Sequence, residues 1–265
     1  MTELPSAVSV RESGTGTPLV LLHAFPLNAS MWSSQLDALP GLTGDGARVL
    51  APDQRGFGGT ELGSDEPSLD VVADDLALLL DAAGIERAVV GGLSMGGYVA
   101  LAFARRHPGR LSGLLLANTR ATADTDAVRA NRERIAAAVT ARDSVQLLLD
   151  EQVVAGLLGP DSQHLVERVR TMIAAASPAA AAWTQRAMAA RPDARDVLAG
   201  LRVPVAVVTG AQDALMEPEE AEGMLRARPD AELTVIPGAG HLSALEAPEA
   251  FDAAVRALLD RVAAE

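Results

Sequence analysis

Short apolar runs alternate along the chain with longer stretches in which apolar residues recur every three or four positions. That alternation predicts a parallel sheet wrapped by helices. Strands are expected at Ala7–Arg11, Pro18–His23, Ala47–Ala51, Ala88–Gly92, Leu111–Ala117, Val203–Thr209 and Glu232–Ile236. Helices are expected at Ser68–Ala83, Met95–His107, Glu217–Ala227 and Pro248–Val262, the last opening on a proline whose missing N–H suits a first turn. Leu19 to Leu22 and Leu114 to Leu116 are apolar without interruption, as befits strands covered on both faces.

One region breaks the alternation. Between Arg120 and Arg195 there is only alanine-rich helical periodicity, punctuated by Gly159-Pro160, Ser177-Pro178 and Arg191-Pro192. A crossover between parallel strands needs a single helix. The surplus predicts a helical cap at 120–195, set into a core formed by 1–119 and 196–265. A few surface helices in a long crossover are the plainer alternative.

Composition narrows the chemistry. Formal charge is 22 − 35 = −13, which disfavours phosphate backbones and hence nucleic-acid binding. All 22 basic residues are arginine, so Schiff-base and P-loop chemistry lack their lysine. Without cysteine there are no disulfides, thiol nucleophiles or thiolate metal sites. No apolar stretch approaches the roughly 20 residues of a membrane span. Met1 to Ser6 carries no secretory pattern, so a cytoplasmic location is expected.

Gly92-Leu93-Ser94-Met95-Gly96 matches G-x-S-x-G. Three fixed positions recur by chance in roughly one chain in ten, so the context matters more. The motif joins a predicted strand to a predicted helix, where a sharp turn would project the Ser94 hydroxyl. A glycine-rich connection with an incidental serine is the alternative. A serine nucleophile needs a base. Of four histidines, His107 closes a helix, His164 lies on a cap helix and His23 is placed to shape a loop. His241, in a turn between the last strand and last helix, is left as general base. Asp213 ends the strand at 203–209 and suits the orienting acid; a helix N-cap is its other reading. Glu217, just before Pro218, is placed to introduce the helix instead. The order Ser94, Asp213, His241 fits this strand-and-helix arrangement. Backbone N–H groups of Met95 and Phe25 are the expected oxyanion donors, although the Phe25 loop also reads as an ordinary turn before Pro26.

Taken with His23-Ala24-Phe25-Pro26, Met31-Trp32, Asp53-Gln54-Arg55-Gly56-Phe57-Gly58, His107-Pro108, Gly210-Ala211-Gln212-Asp213 and Gly240-His241-Leu242, these residues resemble the α/β-hydrolase superfamily over nearly the whole chain. Within it the chain is similar to small bacterial esterases and 3-oxoadipate enol-lactonase-like hydrolases. The resemblance implies a mostly parallel sheet of about eight strands, with a helical cap between the sixth and seventh. Two positions depart from it: Ala24 stands where a glycine is usual, and Thr60 where serine is common. Some members place the acid after the sixth strand, where this chain has Asn118, an uncharged residue.

The expected activity is hydrolysis of a small to medium carboxylic ester or lactone through an acyl-enzyme, without metal or cofactor. No G-x-G-x-x-G fingerprint is present. A non-hydrolytic elimination or cyclisation on the same residues, or simple ligand binding, is the alternative. Trp183, Met172, Met188, Leu147 and Leu148 are expected to line the pocket, though helical spacing also fits plain packing. An anionic lactone would require an inward arginine, with Arg132, Arg134 and Arg186 as candidates. The oligomeric state, monomer or homodimer, has no sequence signature.

Overall fold

The structure, a computed structural model, describes residues 8–41 and 46–264. Seven strands among them form one sheet: β1 (Val10–Ser13), β2 (Thr17–Leu22), β3 (Ala47–Pro52), β4 (Ala88–Leu93), β5 (Leu111–Ala117), β6 (Val205–Gly210) and β7 (Glu232–Ile236). Their order is β1-β3-β2-β4-β5-β6-β7, with β1 antiparallel to β3 and every other pair parallel. β2, β4 and β5 are buried on both faces over most of their length, which accounts for the apolar runs Leu19 to Leu22 and Leu114 to Leu116.

The strand expected at Ala7–Arg11 lies nearer to the turn than its apolar residues indicate. Ala7 is outside the described residues, and β1 continues to Ser13 because its backbone pairs with β3 as far as Ser13 opposite Val49. Gly14 and Gly16, at φ 81° and 113°, then reverse the chain. The strand expected from Val203 begins at Val205. Pro204 has no N–H for the ladder and contributes its carbonyl to Leu114 N–H at 2.9 Å.

Helices α1 (Ser33–Ala38), α2 (Leu69–Ala82), α3 (Met95–Arg106), α4 (Asp126–Arg142), α5 (Glu151–Ala155), α6 (Val166–Ala174), α7 (Pro178–Ala190), α8 (Arg195–Gly200), α9 (Pro218–Ala227), α10 (Ser243–Glu246) and α11 (Pro248–Ala263) complete the fold. Ser68 caps α2 by accepting the Asp70 N–H. Among the described residues, no strand interrupts the stretch between β5 and β6, where α4 and α7 pack along one another. No described helix is long and apolar enough to cross a membrane.

β2 has β3 on one side and β4 on the other, so the chain changes direction across the sheet there. In parallel sheets the carboxyl ends of strands on either side of such a switch leave a crevice. Phe25 follows β2 and Ser94 follows β4, and the two segments approach closely where a Cβ on Gly96 would stand 2.1 Å from Leu22 O.

The helical insertion rests on loops at the same edge. Trp183 of α7 donates its indole N–H to Asp65 O at 2.8 Å, and Arg168 of α6 reaches Ser33 Oγ at 2.7 Å. Leu242 N–H donates to Leu157 O at 3.2 Å. A Cβ on Gly56 would stand 2.6 Å from the Ala180 methyl, so the turn after β3 touches α7 directly.

Candidate active site

β4 hands over to α3 through one residue. Ser94 adopts φ 57° and ψ −112°, a backbone conformation costly for a side-chain-bearing residue. Such strain persists only where the surroundings enforce it, and here they do. The Ser94 N–H donates to Ala117 O at 2.8 Å, and its carbonyl accepts from Thr119 Oγ1 at 2.8 Å. The glycines leave no latitude: a Cβ on Gly92 would lie 2.1 Å from Gly96 C, and one on Gly96 would lie 2.1 Å from Leu22 O. Ser94 remains partly exposed between buried neighbours.

Asp213 and His241 come together from loops after β6 and β7. His241 Nδ1 lies 3.0 Å from Asp213 Oδ2 and 3.1 Å from Oδ1, and both side chains are almost wholly buried. The two loops are joined by Gln212 N–H donating to Ala239 O at 2.8 Å. A Cβ at Gly210 would stand 2.1 Å from Gly240 O, so this approach requires glycine. Asp213 Oδ1 also accepts the N–H groups of Leu215 and Met216 at 2.9 and 3.1 Å. Burial alone would raise the Asp213 carboxyl, but hydrogen bonds from His241, Asn118 and Leu215, with the charge attraction of His241, hold it below the usual carboxylate range.

Asn118 completes the link. Its Nδ2 donates to Asp213 Oδ2 at 2.8 Å and to Gly240 O at 3.1 Å, while Ser243 Oγ donates to its Oδ1. Residues 117–119 therefore contact the Ser94 backbone, the acid and the histidine loop together. Sequence reasoning treated Asn118 only as a vacant acid position. Its place directly after a buried strand was the available signal. Glu246 was missed entirely; its oxygens accept the N–H groups of Gly159, Gly240 and Leu242.

The backbone N–H groups of Met95 and Phe25 find no acceptor among the described residues. Met95 opens α3, where the helix dipole adds to its pull on negative charge. The Phe25 loop is shaped by His23, whose Nδ1–H donates to Ala24 O at 3.0 Å while Nε2 accepts from Gln54 N–H at 3.0 Å. Complete burial lowers His23 to about 4, against the raising effect of the Ala24 hydrogen bond. His23 is thus a neutral structural ring. Ala24 is buried and its N–H points to Met31 Sδ at 3.3 Å, so the departure from glycine is accommodated. Thr60 accepts the Ser9 N–H at 2.9 Å.

Trp183 and Met188 on α7, Met172 on α6, and Leu148 between α4 and α5 are buried within the insertion, with Leu147 partly so. A cavity of about 110 Å³ behind α3 is lined by residues including Tyr98, Arg105 and Arg191, and by none of those five, nor by Ser94, Asp213 or His241. The three candidate arginines are engaged elsewhere. Arg132 pairs with Asp124 at 2.6 Å and reaches Gln185 Oε1 at 3.1 Å. Arg134 bonds the neighbouring Asn131 at 2.8 Å, and Arg186 pairs with Glu133 at 2.9 Å, all four on the surface.

The alpha/beta hydrolase family model matches residues 19–254. This chain belongs to the α/β-hydrolase family. A solved structure of a thermophilic esterase from Thermogutta terrifontis, with malate bound, is 36% identical, has a TM-score of 0.87 and covers 98% of this chain and 97% of its own. The 3-oxoadipate enol-lactonase 2 of Acinetobacter baylyi is 27% identical over 243 residues, 92% of this chain and 88% of that protein. The chain spans about two fifths of the length of two further curated relatives. One is the 2-hydroxymuconate semialdehyde hydrolase of a Pseudomonas species, 38% identical over 109 residues, which are 41% of this chain and 38% of that protein. Among the described residues, no group of three or more His, Asp or Glu is arranged to hold a metal ion.

Proposed function

We propose that the protein hydrolyses a small to medium carboxylic ester through an acyl-enzyme, with Ser94 as nucleophile, His241 as general base and Asp213 as its orienting acid. The observation that carries this reading is that the segment after β5 holds both halves of the site: Thr119 Oγ1 donates to the carbonyl of the strained Ser94 at 2.8 Å, and Asn118 Nδ2 donates at 2.8 Å to Asp213, which pairs with the buried His241. Asp213 holds the Nδ1–H tautomer, which leaves Nε2 to take the Ser94 proton as Oγ attacks the carbonyl. The oxyanion is received by the N–H groups of Met95 and Phe25, which are free of protein acceptors and need little reorganisation. His241 then protonates the leaving alkoxide and activates the water that releases the acid.

The esterase and enol-lactonase among the relatives support carboxylic ester chemistry, lactones included. Burial of the Arg132 charge against Asp124, and the surface pairing of Arg134 and Arg186, favour a neutral substrate over an anionic lactone. The insertion at 120–195 serves as the cap, and Trp183, Met172, Met188, Leu147 and Leu148 shape its apolar side. Ser94→Ala should leave the fold intact and abolish hydrolysis of short p-nitrophenyl esters. Full activity in that variant would exclude the nucleophile. A panel of neutral esters, anionic lactones and thioesters, run on both proteins, tests the substrate class.

A further inference from the structure

We infer that Glu246 is a positioning residue for the imidazole of His241 and links the seating of the helical insertion to that ring. The inference rests on the reading of His241 as general base. Glu246 ends α10, five positions after His241, and is partly buried. Oε2 accepts the Gly240 N–H at 3.0 Å and the Gly159 N–H at 2.6 Å, while Oε1 accepts the Leu242 N–H at 2.9 Å. Gly240 and Leu242 flank His241, so a single planar group holds the N–H of the residue on each side of the base. Gly159 belongs to the insertion, between α5 and α6.

A carboxylate suits this position better than an amide. It accepts hydrogen bonds without donating any, and its charge strengthens each one. An amide would turn N–H groups toward at least one of the same donors. The surrounding backbone is equally confined: a Cβ on Gly240 would stand 2.4 Å from Gly159 N, and one on Gly159 would stand 2.4 Å from Gly238 O. The insertion cannot lift at Gly159 without releasing the oxygen that also holds Gly240. Glu246 need not touch substrate to act, because a base displaced by about 1 Å can lose about a hundredfold in rate.

The test compares wild type, Glu246→Gln and Ser94→Ala, with active serines counted by a fluorophosphonate probe. Glu246→Gln should stay folded and lose about tenfold to a hundredfold in kcat per labelled serine on a short p-nitrophenyl ester. Its KM should change by less than about threefold, and protease should cut near Gly159 faster. A purely structural role would reduce the number of labelled serines and leave kcat per serine within twofold of wild type; that result overturns the inference. Amide exchange at Gly159, Gly240 and Leu242 in wild type gives a second measure that needs no variant. Slow exchange is expected, and exchange as fast as in an open loop overturns the clamp. Retained hydrolysis in Ser94→Ala would instead refute the nucleophile, while the exchange result would still judge the clamp.

Discussion

Asp213 is surrounded by four donors, and each has a purpose that a substitution can expose. Asp213→Asn keeps the shape but allows the wrong imidazole tautomer, so turnover should fall about a thousandfold or more, measured as kcat on a p-nitrophenyl ester. Asn118→Asp sets a second carboxylate against Asp213 Oδ2, where the amide now donates at 2.8 Å. Two like charges at that distance push one pKa of the pair upward, so the acid limb of the pH–rate profile should move to higher pH. His23 makes a separate prediction about stability. Its folded pKa of about 4 lies below the ordinary 6.5, so the unfolded chain takes up the proton first. The stability His23 contributes is present above pH 6.5 and is lost as pH falls toward 4, on the order of 3 kcal/mol. Urea unfolding across that range should show a steeper loss in wild type than in His23→Gln, and equal slopes would refute the assignment. At this scale the sequence was most legible where residue type is restrictive. One serine in the elbow and only four histidines single out Ser94 and His241 as the candidates. Asn118 and Glu246 were hidden because neither residue type names a chemistry by itself, and only the folded loops reveal what they meet.

The elbow shows how an element can depend on atoms it lacks. Gly96→Ala would place a methyl carbon 2.1 Å from the carbonyl oxygen of Leu22, which belongs to the neighbouring strand and cannot turn aside. Stability should drop by about 3 kcal/mol or more, at or beyond the upper end for forced overpacking. Gly109→Ala, with nothing within 4 Å, should stay within about 0.5 kcal/mol by the same thermal unfolding measurement. Elements were readable from sequence where burial is two-sided and the apolar run is complete, as in β5, which begins and ends where expected. They were displaced where pairing overrides composition. The polar residues of β1 give no strand pattern, yet the backbone of β3 supplies partners through Ser13. Within the insertion, α6 and α7 follow the expected periodicity, but the ion pairs that fix Arg132 and Arg186 join residues 8 and 53 apart in sequence.

The molecule as a whole is held at two different kinds of joint. Inside the insertion, Asp124 is fully buried and pairs with Arg132 at 2.6 Å and Arg191 at 2.7 Å, and the Arg191 guanidinium also reaches the core, 3.9 Å from the centre of the Tyr98 ring on α3. Burial would raise the Asp124 carboxyl, and the two arginines hold it below the usual carboxylate range. Asp124→Asn leaves two arginines without their shared counter-charge and should destabilise the protein by about 3–5 kcal/mol, read by denaturant unfolding. Between insertion and core, by contrast, several joints are made to main-chain atoms: Asp65 O, Ser30 O, Leu157 O and the Gly159 N–H. Peptide groups are the same whatever side chain they carry. A lineage could therefore redraw other positions of α4 to α7 while keeping Trp183 and Arg168, which supply the side-chain half of two of these joints. In the proposed enzyme the insertion would be the exchangeable part, and the glycine-bound turns of the core would not.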